Sequence, residues 1–296
     1  MSDLSHLVET LRAVLDLPAD ERIRQLRQPH WIGYTRSKRI LEKLEDLFQY
    51  PRVDRMPNLL IVGETNNGKT MIASRFQGLH AAGSSPNGKH VPVLLIQAPP
   101  TPDESRFYGA ILEALGVPYK PRGSVEEKQM KVLHLLRDIQ VRVLIIDEIH
   151  HIRAGHIAKQ RHFLNVLKYL GNELKMPLVG VGTIDALRAI QTDPQMVNRF
   201  EPVALPRWEM NRDFQMLLAS FERILPLRQP SLLAEPALAT KLLTLSEGTI
   251  GELFALLVAA TVRAIRSGAE RIDEGVLGSI DWIAPSARRR AIEKLT

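Results

Sequence analysis

Residues 58–75 read NLLIVGETNNGKTMIASR, and the predicted fold is organised around this stretch. Residues 59–62 are an uninterrupted apolar run, which is typical of a strand buried on both faces. Residues 63–70, GETNNGKT, fit the pattern G-x-x-x-x-G-K-[ST] at each fixed position. Residues 71–77 suit a helix. Because strand, glycine-bounded loop and helix follow one another in this order, the stretch predicts a nucleotide site.

The spacing of this loop matches what a triphosphate needs. Backbone N–H groups must converge on the phosphates, and glycine lets the main chain approach without a Cβ. The amino end of the next helix adds partial positive charge. Lys69 is expected to reach the β- and γ-phosphates, and the Thr70 hydroxyl to be a Mg²⁺ ligand. The predicted nucleotide-binding residues are Gly63, Glu64, Thr65, Asn66, Asn67, Gly68, Lys69, Thr70 and Met71.

Two carboxylates follow another apolar run. Residues 141–146, VRVLII, predict a buried strand that ends at Asp147 and Glu148. In the context of a phosphate loop, Asp147 is expected to hold Mg²⁺, directly or through water. Glu148 is expected to orient and polarise the attacking water. Thr183 follows the next predicted strand, and its hydroxyl is a candidate sensor of the γ-phosphate or the water.

Composition narrows the class of protein. The 296 residues are 45% hydrophobic and 24% charged, as in ordinary globular proteins. The net charge of +6 is compatible with nucleic acid without proving it, and 5% aromatic residues argue against single-strand binding by stacked bases. The absence of cysteine excludes disulfides, cysteine-ligated zinc and thiol catalysis. The acidic amphipathic N-terminus is not a signal peptide, and the longest apolar run, residues 253–262, is too short to cross a bilayer. We therefore expect a cytoplasmic protein with no membrane association.

The order of predicted elements indicates an α/β fold. Five predicted strands alternate with helices, which favours a five-stranded parallel sheet covered on both faces. The strands are expected at residues 59–62, 91–97, 141–146, 177–181 and 203–205. Residues 82–90 are expected to be an exposed turn. From residue 208 onward only helices are predicted, at residues 211–225, 235–246, 251–267 and 273–283.

These patterns suggest four segments. We expect an N-terminal helical extension at residues 1–30 and a nucleotide-binding α/β domain at residues 31–207. A small all-helical lid domain follows at residues 208–268. Residues 269–296 are expected to form a C-terminal helix and a basic tail. Trp31, Ile32 and Tyr34 lie ahead of the phosphate loop and suit either a wall for adenine or a place in the core.

Histidines and basic residues follow the acidic pair. His150, His151, His156 and His162 do not form an i, i+4 pair, so a metal site is not favoured. Residues 153–161, RAGHIAKQR, are expected to be a basic loop that is either simply solvated or faces DNA.

Four motifs together carry a family resemblance. GETNNGKT, VLIIDEIHHI, PLVGVGT and VNRFEPVALPRW resemble the AAA+ transposition ATPases of the TniB/TnsC type, over about residues 31–257. The phosphate loop alone indicates only a P-loop NTPase, and the combination with NRFEPVALPRW makes the resemblance specific. It implies an AAA+ core with a helical lid that uses ATP and Mg²⁺. It also implies rings or helical filaments on duplex DNA, a DDE-type transposase as partner and a TniQ-like target-selection protein as a further partner.

The resemblance also assigns roles to arginines. In relatives, the arginine before the fifth strand reaches into the ATP site of the neighbouring subunit, and here that position is Arg199. The alternative is a surface pair with Glu201 or Asp193. Many AAA+ proteins also carry a second sensor arginine, but residues 247–253, EGTIGEL, contain none and the next is Arg263. We therefore expect slow, DNA-stimulated hydrolysis.

DNA contacts are expected in the loops that face the pore in related ATPases. Repeated phosphate contacts would give affinity that depends on salt and not on sequence. The candidate donors are Lys120, Arg122, Arg153, Lys159 and Arg161. Two other functions remain open at this point, a nucleotide-gated scaffold that does not touch DNA and a helicase loader with the same core.

Overall fold

A computed structural model describes residues 4–85 and 88–293 and divides the chain into two compact units. The first, which we call the α/β unit, is Arg36–Pro206. The second, which we call the helical unit, combines Met1–Thr35 with Arg207–Thr296. Each unit encloses a hydrophobic core of its own.

The described residues of the α/β unit form seven strands. They are β1 (Asn58–Gly63), β2 (Gly83–Ser85), β3 (Gly88–His90), β4 (Val93–Gln97), β5 (Val143–Asp147), β6 (Leu178–Gly182) and β7 (Phe200–Leu205). Five of them form one parallel sheet in the order β4-β5-β6-β1-β7. Because β1 and β5 are buried almost throughout, their apolar runs lack alternation, as expected of strands covered on both faces. The predicted five-stranded parallel sheet is confirmed.

The prediction of an exposed turn at residues 82–90 is wrong for residues 83–85 and 88–90, and its residues 86 and 87 lie outside the described residues. β2 and β3 pair as an antiparallel hairpin, with Gly83 opposite His90 and Ser85 opposite Gly88. The pairing is made by the backbone. The sequence of this hairpin is polar and contains glycine. It lacks the apolar alternation that is typical of a strand, so a sequence pattern does not predict the hairpin.

Fourteen α-helices are formed by the described residues. They are α1 (Glu9–Arg12), α2 (Ala19–Leu26), α3 (Thr35–Gln49), α4 (Lys69–Leu79), α5 (Glu104–Ala114), α6 (Val125–Asp138), α7 (Ile157–Leu174), α8 (Ile184–Ile190), α9 (Pro194–Val197), α10 (Arg212–Glu222), α11 (Pro236–Ser246), α12 (Ile250–Ser267), α13 (Glu274–Gly278) and α14 (Pro285–Glu293). Two 3₁₀ turns accompany them, at Ala13–Asp16 and Ile149–Ala154.

The basic loop expected at residues 153–161 is mostly helical. Arg153 lies in the second 3₁₀ turn, and α7 begins at Ile157. The side chain of His156 accepts a hydrogen bond from the Lys159 N–H and so caps α7. Ser, Thr, Asp and Asn are the usual capping residues, so a histidine cap gives little signal in the sequence.

The helical unit includes the beginning of the chain. Ile23 and Leu26 of α2 are buried in the same core as residues of α10, α11 and α12. Ile32 and Tyr34 also pack against this core, and the Tyr34 ring meets Trp208 edge-on at 5.0 Å. These contacts agree with the expectation that Ile32 and Tyr34 belong to the core.

The end of the chain differs from the expected helix at residues 273–283. α13 ends at Gly278, and a separate helix, α14, begins at Pro285 and carries Arg288, Arg289 and Arg290. Proline favours the first turn of a helix, which accounts for the start of α14 at Pro285. In the described part of the chain, no single helix is both long and apolar enough to cross a membrane, although α11 and α12, bent by 114°, pass that test as a pair.

Candidate functional site

Three strand ends meet at the carboxyl edge of the sheet. β6 lies between β1 and β5, with Val62 opposite Gly182 and Ile146 opposite Gly180. The phosphate loop after β1, the carboxylates after β5 and Thr183 after β6 are therefore neighbours. Ligands of open α/β sheets bind in such a crevice, outside the carboxyl ends of the strands.

The phosphate loop is anchored by one of its own side chains. Asn67 is 2% exposed, and its Nδ2 donates to the carbonyl oxygens of Leu205 at 2.9 Å and Pro206 at 3.0 Å. The loop is thereby attached to the end of β7. The sequence predicted Asn67 only as a nucleotide-binding residue and did not reveal this anchoring role.

The two glycines of the motif are required for different reasons. Gly68 has φ +80°, in the left-handed region that favours glycine. Gly63 packs against β7, because a Cβ there would lie 2.8 Å from the Leu205 carbonyl oxygen. The Gly63 position is therefore explained by the neighbouring strand, and the motif alone suggested only close approach to phosphate.

Lys69 is held inside the loop. It is 6% exposed, and its Nζ donates to the Glu64 carbonyl oxygen at 2.6 Å. Burial lowers the pKa of Lys69, and the negative charges of Glu148, Asp147 and Glu64 oppose this effect. An anionic phosphate brought to this ammonium group would favour its charged form in the same way.

Thr70 and Asp147 meet at the predicted magnesium position. The Thr70 hydroxyl donates to Asp147 Oδ2 at 2.7 Å, and Asp147 Oδ1 accepts from the Glu148 N–H at 2.8 Å. Asp147 is 7% exposed. A hydroxyl and a carboxylate side by side are the oxygen donors that Mg²⁺ prefers, so these residues fit the ion.

Glu148 has an unusual backbone. Its φ of +54° and ψ of 31° place a non-glycine residue in the left-handed region. Such conformations cluster at functional sites. The carboxylate lies 3.3 Å from His150 Nε2, and its side chain is 35% exposed.

Two of the four histidines that follow Glu148 lie close together, and the other two lie apart. His150 and His151 lie on the 3₁₀ turn with ring centroids 4.9 Å apart, and their nitrogens and a Glu148 oxygen lie within 4.8 Å of one another. These three side chains could hold a metal ion, a grouping that helical spacing did not predict because the turn is not an α-helix. His156 caps α7 and His162 contacts Glu104 at 2.8 Å, so neither joins the group.

Thr183 lies where the sensor was expected. It directly follows β6 and precedes the first residue of α8, and it is partly buried. Its side chain makes no capping bond to α8. The hydroxyl is thus not committed to the helix that it precedes.

Arg199 lies at the opposite edge of the sheet. Its carbonyl oxygen accepts from the Asn58 N–H at 2.8 Å, at the amino end of β1, whereas the phosphate loop begins at Gly63. The five residue steps between them span about 16 Å of strand. Arg199 therefore cannot reach the phosphate loop of its own chain.

Within the described residues, the structure does not show the alternative surface pair of Arg199 with Glu201 or Asp193. Its Nη1 donates to Asn172 Oδ1 at 2.7 Å. Asp193 instead contacts Lys168 at 2.7 Å and Glu201 contacts Lys43 at 2.6 Å. Arg199 also lines a cleft of about 750 Å³.

The five candidate DNA-contacting residues, Lys120, Arg122, Arg153, Lys159 and Arg161, are all exposed. Contacts between helix starts bring their segments together. The Lys128 Nζ of α6 donates to Ser105 Oγ of α5 at 2.8 Å and to the Pro121 carbonyl at 2.7 Å, and His162 of α7 contacts Glu104 of α5 at 2.8 Å. The first turns of α5, α6 and α7 therefore lie together on the carboxyl side of β4 and β5, with the basic residues around them.

Residues 247–253, which contain no sensor arginine, lie beside two arginines from other parts of the helical unit. Within the helical unit, Arg288 of α14 forms an ion pair with Glu252, and Arg207 Nη1 donates to the Glu247 carbonyl oxygen at 3.4 Å. The local sequence of residues 247–253 does not predict either neighbour.

A family model described as "Bacterial TniB protein" matches residues 22–210, which is more than half of the chain. The chain belongs to the TniB family. The match includes the phosphate loop, Asp147, Glu148, Thr183 and Arg199. It confirms the resemblance found in the four sequence motifs.

Curated relatives of this TniB-family chain include Clp ATPase subunits. The Arabidopsis thaliana chaperone protein ClpC1, chloroplastic, is 27% identical over 184 residues, which cover 58% of this chain and 18% of ClpC1. The Brassica napus ATP-dependent Clp protease ATP-binding subunit ClpA homolog, chloroplastic, is 28% identical over 189 residues, which cover 59% of this chain and 20% of that protein. The chain thus spans about a fifth of the length of these two relatives.

Solved structures share the fold at low sequence identity. The Aeropyrum pernix ORC2 protein, in ADPNP–ADP complexes, has a TM-score of 0.63 and 14% identity, covering 92% of this chain and 74% of its own. The Aeropyrum pernix ORC1 protein in complex with DNA has a TM-score of 0.54 and 20% identity, covering 91% of this chain and 69% of its own. The chain thus shares the AAA+ fold of these proteins.

Proposed function

We propose that this TniB-family protein is an ATP-dependent regulator of DNA transposition. In this proposal it assembles on duplex DNA as a ring or helical filament and directs a DDE-type transposase to target sites. A TniQ-like target-selection protein is a further proposed partner. The family match supports the link to transposition, and the geometry of the site supports the use of ATP.

Each residue of the carboxyl edge has a proposed role in hydrolysis. Lys69 and the N–H groups of the phosphate loop bind the phosphates, and Thr70 and Asp147 would hold Mg²⁺. The ion, when bound, neutralises charge that develops on the phosphates. Glu148 accepts a hydrogen bond from the attacking water and orients it, and Thr183 contacts the γ-phosphate or the water.

One observation carries the proposal of assembly. Arg199 lies at the amino edge of the sheet, about 16 Å of strand away from the phosphate loop of its own chain. An arginine that stabilises the charge of the transition state must touch the phosphates. A catalytic role for Arg199 therefore requires the nucleotide of a second copy, which supports a homo-oligomer.

The basic residues at the starts of α5, α6 and α7 support DNA as the partner. Lys120, Arg122, Arg153, Lys159 and Arg161 are exposed on the carboxyl side of the sheet. In the proposal they contact DNA phosphates, so affinity falls steeply with salt and does not depend on base sequence.

The test is ATP hydrolysis with and without duplex DNA, for the wild type, Lys69→Ala and Glu148→Gln, with the same samples imaged for assemblies. We expect slow turnover stimulated by DNA and lost in both variants, with Glu148→Gln forming stable ATP-dependent oligomers on DNA. Turnover above about 10 s⁻¹, the median for enzymes, would contradict the proposal of slow hydrolysis. Hydrolysis indifferent to DNA, without assembly on it, would favour a nucleotide-gated scaffold that does not bind DNA.

A second candidate function is favoured by the structural neighbours. ORC proteins share the fold, and two of the matched structures contain DNA, the Aeropyrum pernix ORC1 complex and Drosophila ORC. A helicase loader would use the same core and the same chemistry. Pull-down with a DDE-type transposase and with a replicative helicase separates the two functions, because each predicts binding to only one of these partners.

A further inference from the structure

His150 lies beside the proposed catalytic carboxylate, in a position that the phosphate-loop motifs do not explain. It belongs to the 3₁₀ turn Ile149–Ala154, whose backbone is fixed by two buried side chains, Ile149 at 0% and Ile152 at 2% exposure. Ile149 packs under β6, because a Cβ added at Gly180 would lie 3.1 Å from Ile149 Cδ1. His150 is therefore presented from a rigid support.

The two ring nitrogens of His150 have different surroundings. Nδ1 is buried and has no hydrogen-bond partner among the described residues. It faces the end of β6, where a Cβ added at Gly182 would lie 3.4 Å from it. Nε2 lies 3.3 Å from Glu148 Oε2.

This asymmetry indicates which nitrogen carries the proton. A buried N–H without an acceptor costs about 1–3 kcal/mol. A proton on Nδ1 would be such a donor, whereas Nε2 has a carboxylate oxygen within ion-pair distance. The geometry therefore favours a proton on Nε2, the nitrogen beside Glu148, over a proton on Nδ1.

Glu148 has little else to orient it. In the described part of the chain, His150 is the only side chain within ion-pair distance of the Glu148 carboxylate. The Glu148 side chain is 35% exposed, and its backbone is left-handed. At 3.3 Å the contact is longer than a good hydrogen bond, and such contacts in catalytic sites often tighten only when substrate is bound.

We propose that His150 is a positioning residue for Glu148. It donates a hydrogen bond from Nε2 to one carboxylate oxygen and leaves the other oxygen free to accept from the attacking water. A hydrogen bond to one oxygen fixes the orientation of the carboxylate while the other oxygen still faces the water. This inference rests on the proposed ATPase reaction and adds a residue to it.

The test compares three substitutions of His150 in the full chain. His150→Gln keeps an N–H near the position of Nε2, His150→Asn places one near Nδ1, and His150→Ala removes both. We expect His150→Ala and His150→Asn to lower kcat about 10-fold, as part of the 10²–10⁴-fold effect of a positioned base. His150→Gln should stay within about 3-fold of the wild type, and KM for ATP should change little in all three, since no contact to phosphate is removed.

Three controls separate positioning from a structural role. His134→Gln changes a histidine of α6 whose side chain is 78% exposed and pairs with Asp138 at 3.1 Å, and it should leave kcat unchanged. In the Glu148→Gln background, His150→Ala should cause no further loss, because His150 acts through Glu148. Spectra of ¹⁵N-labelled histidine, with the His150 signals assigned by their loss in His150→Gln, should show a proton on Nε2.

Each other outcome overturns the inference in an identifiable way. Equal activity of His150→Ala and the wild type, a further loss in the Glu148→Gln background, or a proton on Nδ1 removes the positioning role and leaves the proposed function standing. A wild type without ATP hydrolysis, or with activity that survives Glu148→Gln, removes the proposed reaction and this inference with it.

Discussion

The two units of the molecule are built from sequence in opposite ways. In the α/β unit, the residues of the site follow the ends of β1, β5 and β6, and neighbouring strands bring them together. In the helical unit, one of the polar contacts that attach the start of the chain joins Arg22 to Glu270, 248 residues apart. A site at strand ends can be predicted from local motifs. Helix packing of this kind cannot, because it depends on contacts between residues that are far apart in the sequence.

The largest expected effect tests whether the site of the α/β unit is complete in one chain. Arg199→Ala should lower kcat about 10³-fold, the lower range for an arginine finger, while ATP affinity stays near that of the wild type. The reason is that Arg199 lies at the amino edge, away from its own phosphate loop. Steady-state hydrolysis together with binding of a labelled nucleotide measures both quantities.

A mixing experiment makes this prediction specific to assembly. Arg199→Ala has an intact phosphate loop, and Lys69→Ala has an intact Arg199. A mixture of the two should recover part of the activity, because each supplies what its neighbour lacks. The control replaces Lys69→Ala by a chain with both substitutions, which should restore nothing. Wild-type kcat in Arg199→Ala alone would show that the site does not need a second copy.

The next effect concerns the distant pair of the helical unit. The Arg22 side chain is 5% exposed, contacts Glu270 at 2.6 Å and donates to the Pro226 carbonyl oxygen at 2.6 Å. Arg22→Met should lower the free energy of unfolding of this unit by about 2 kcal/mol, since the partly buried Glu270 loses its charged hydrogen bonds from Arg22 and keeps only Arg228. Trp31, Trp208 and Trp282, the three tryptophans of the chain, all lie in this unit, so their fluorescence in guanidinium follows its unfolding.

A matched control lies on the same helix. Arg24 is 71% exposed and pairs with Glu21 at 2.9 Å. Arg24→Met should change the free energy of unfolding by less than about 1 kcal/mol, because exposed pairs contribute little. Similar losses in the two variants would mean that the buried pair does not attach α2 to the helical core.

These contrasts explain how much the sequence could predict. Apolar runs that end in short motifs predict the parallel sheet and its site residues, because the carboxyl ends of parallel strands lie at one edge of the sheet. These residues are the phosphate loop, Asp147, Glu148 and Thr183. The place of α2 in the helical core could not be predicted, because Ile23 and Leu26 are covered by helices formed more than 180 residues later. The proximity of His150 to Glu148 was missed for a different reason. It depends on a 3₁₀ turn, whose spacing a helical pattern does not represent.

A smaller effect tests how far the phosphate loop depends on contacts outside its motif. Asn67→Ala removes the two hydrogen bonds to the Leu205 and Pro206 carbonyls. We expect a loss of about 1–2 kcal/mol in stability and about 10-fold weaker ATP binding, because the buried Leu205 carbonyl and the partly buried Pro206 carbonyl lose their donor. Calorimetric titration with ATP and thermal unfolding measure the two effects. Asn66→Gly, at a neighbouring exposed position with φ +60°, is the control and should bind ATP nearly as the wild type does.

The smallest expected effect is a pH dependence confined to the helical unit. Burial alone would raise the pKa of Glu270, but the hydrogen bond from Arg22 and the Arg228 N–H bring this pKa below its usual range. In the unfolded chain the carboxyl group has its ordinary pKa of about 4.3 and takes up a proton at a higher pH than in the folded chain. The stabilising contribution is therefore complete above that value and is lost as the pH falls through the folded pKa.

Glu270→Gln provides the test of this sign. The variant should be less stable than the wild type at pH 7, and the difference between the two should shrink as the pH is lowered below about 4.3, because the wild type then loses the same charge. Tryptophan fluorescence in guanidinium at each pH measures the difference. A gap that is constant with pH would mean that the Glu270 charge does not stabilise the unit. The contrast between the units would then rest on apolar packing of α2 alone.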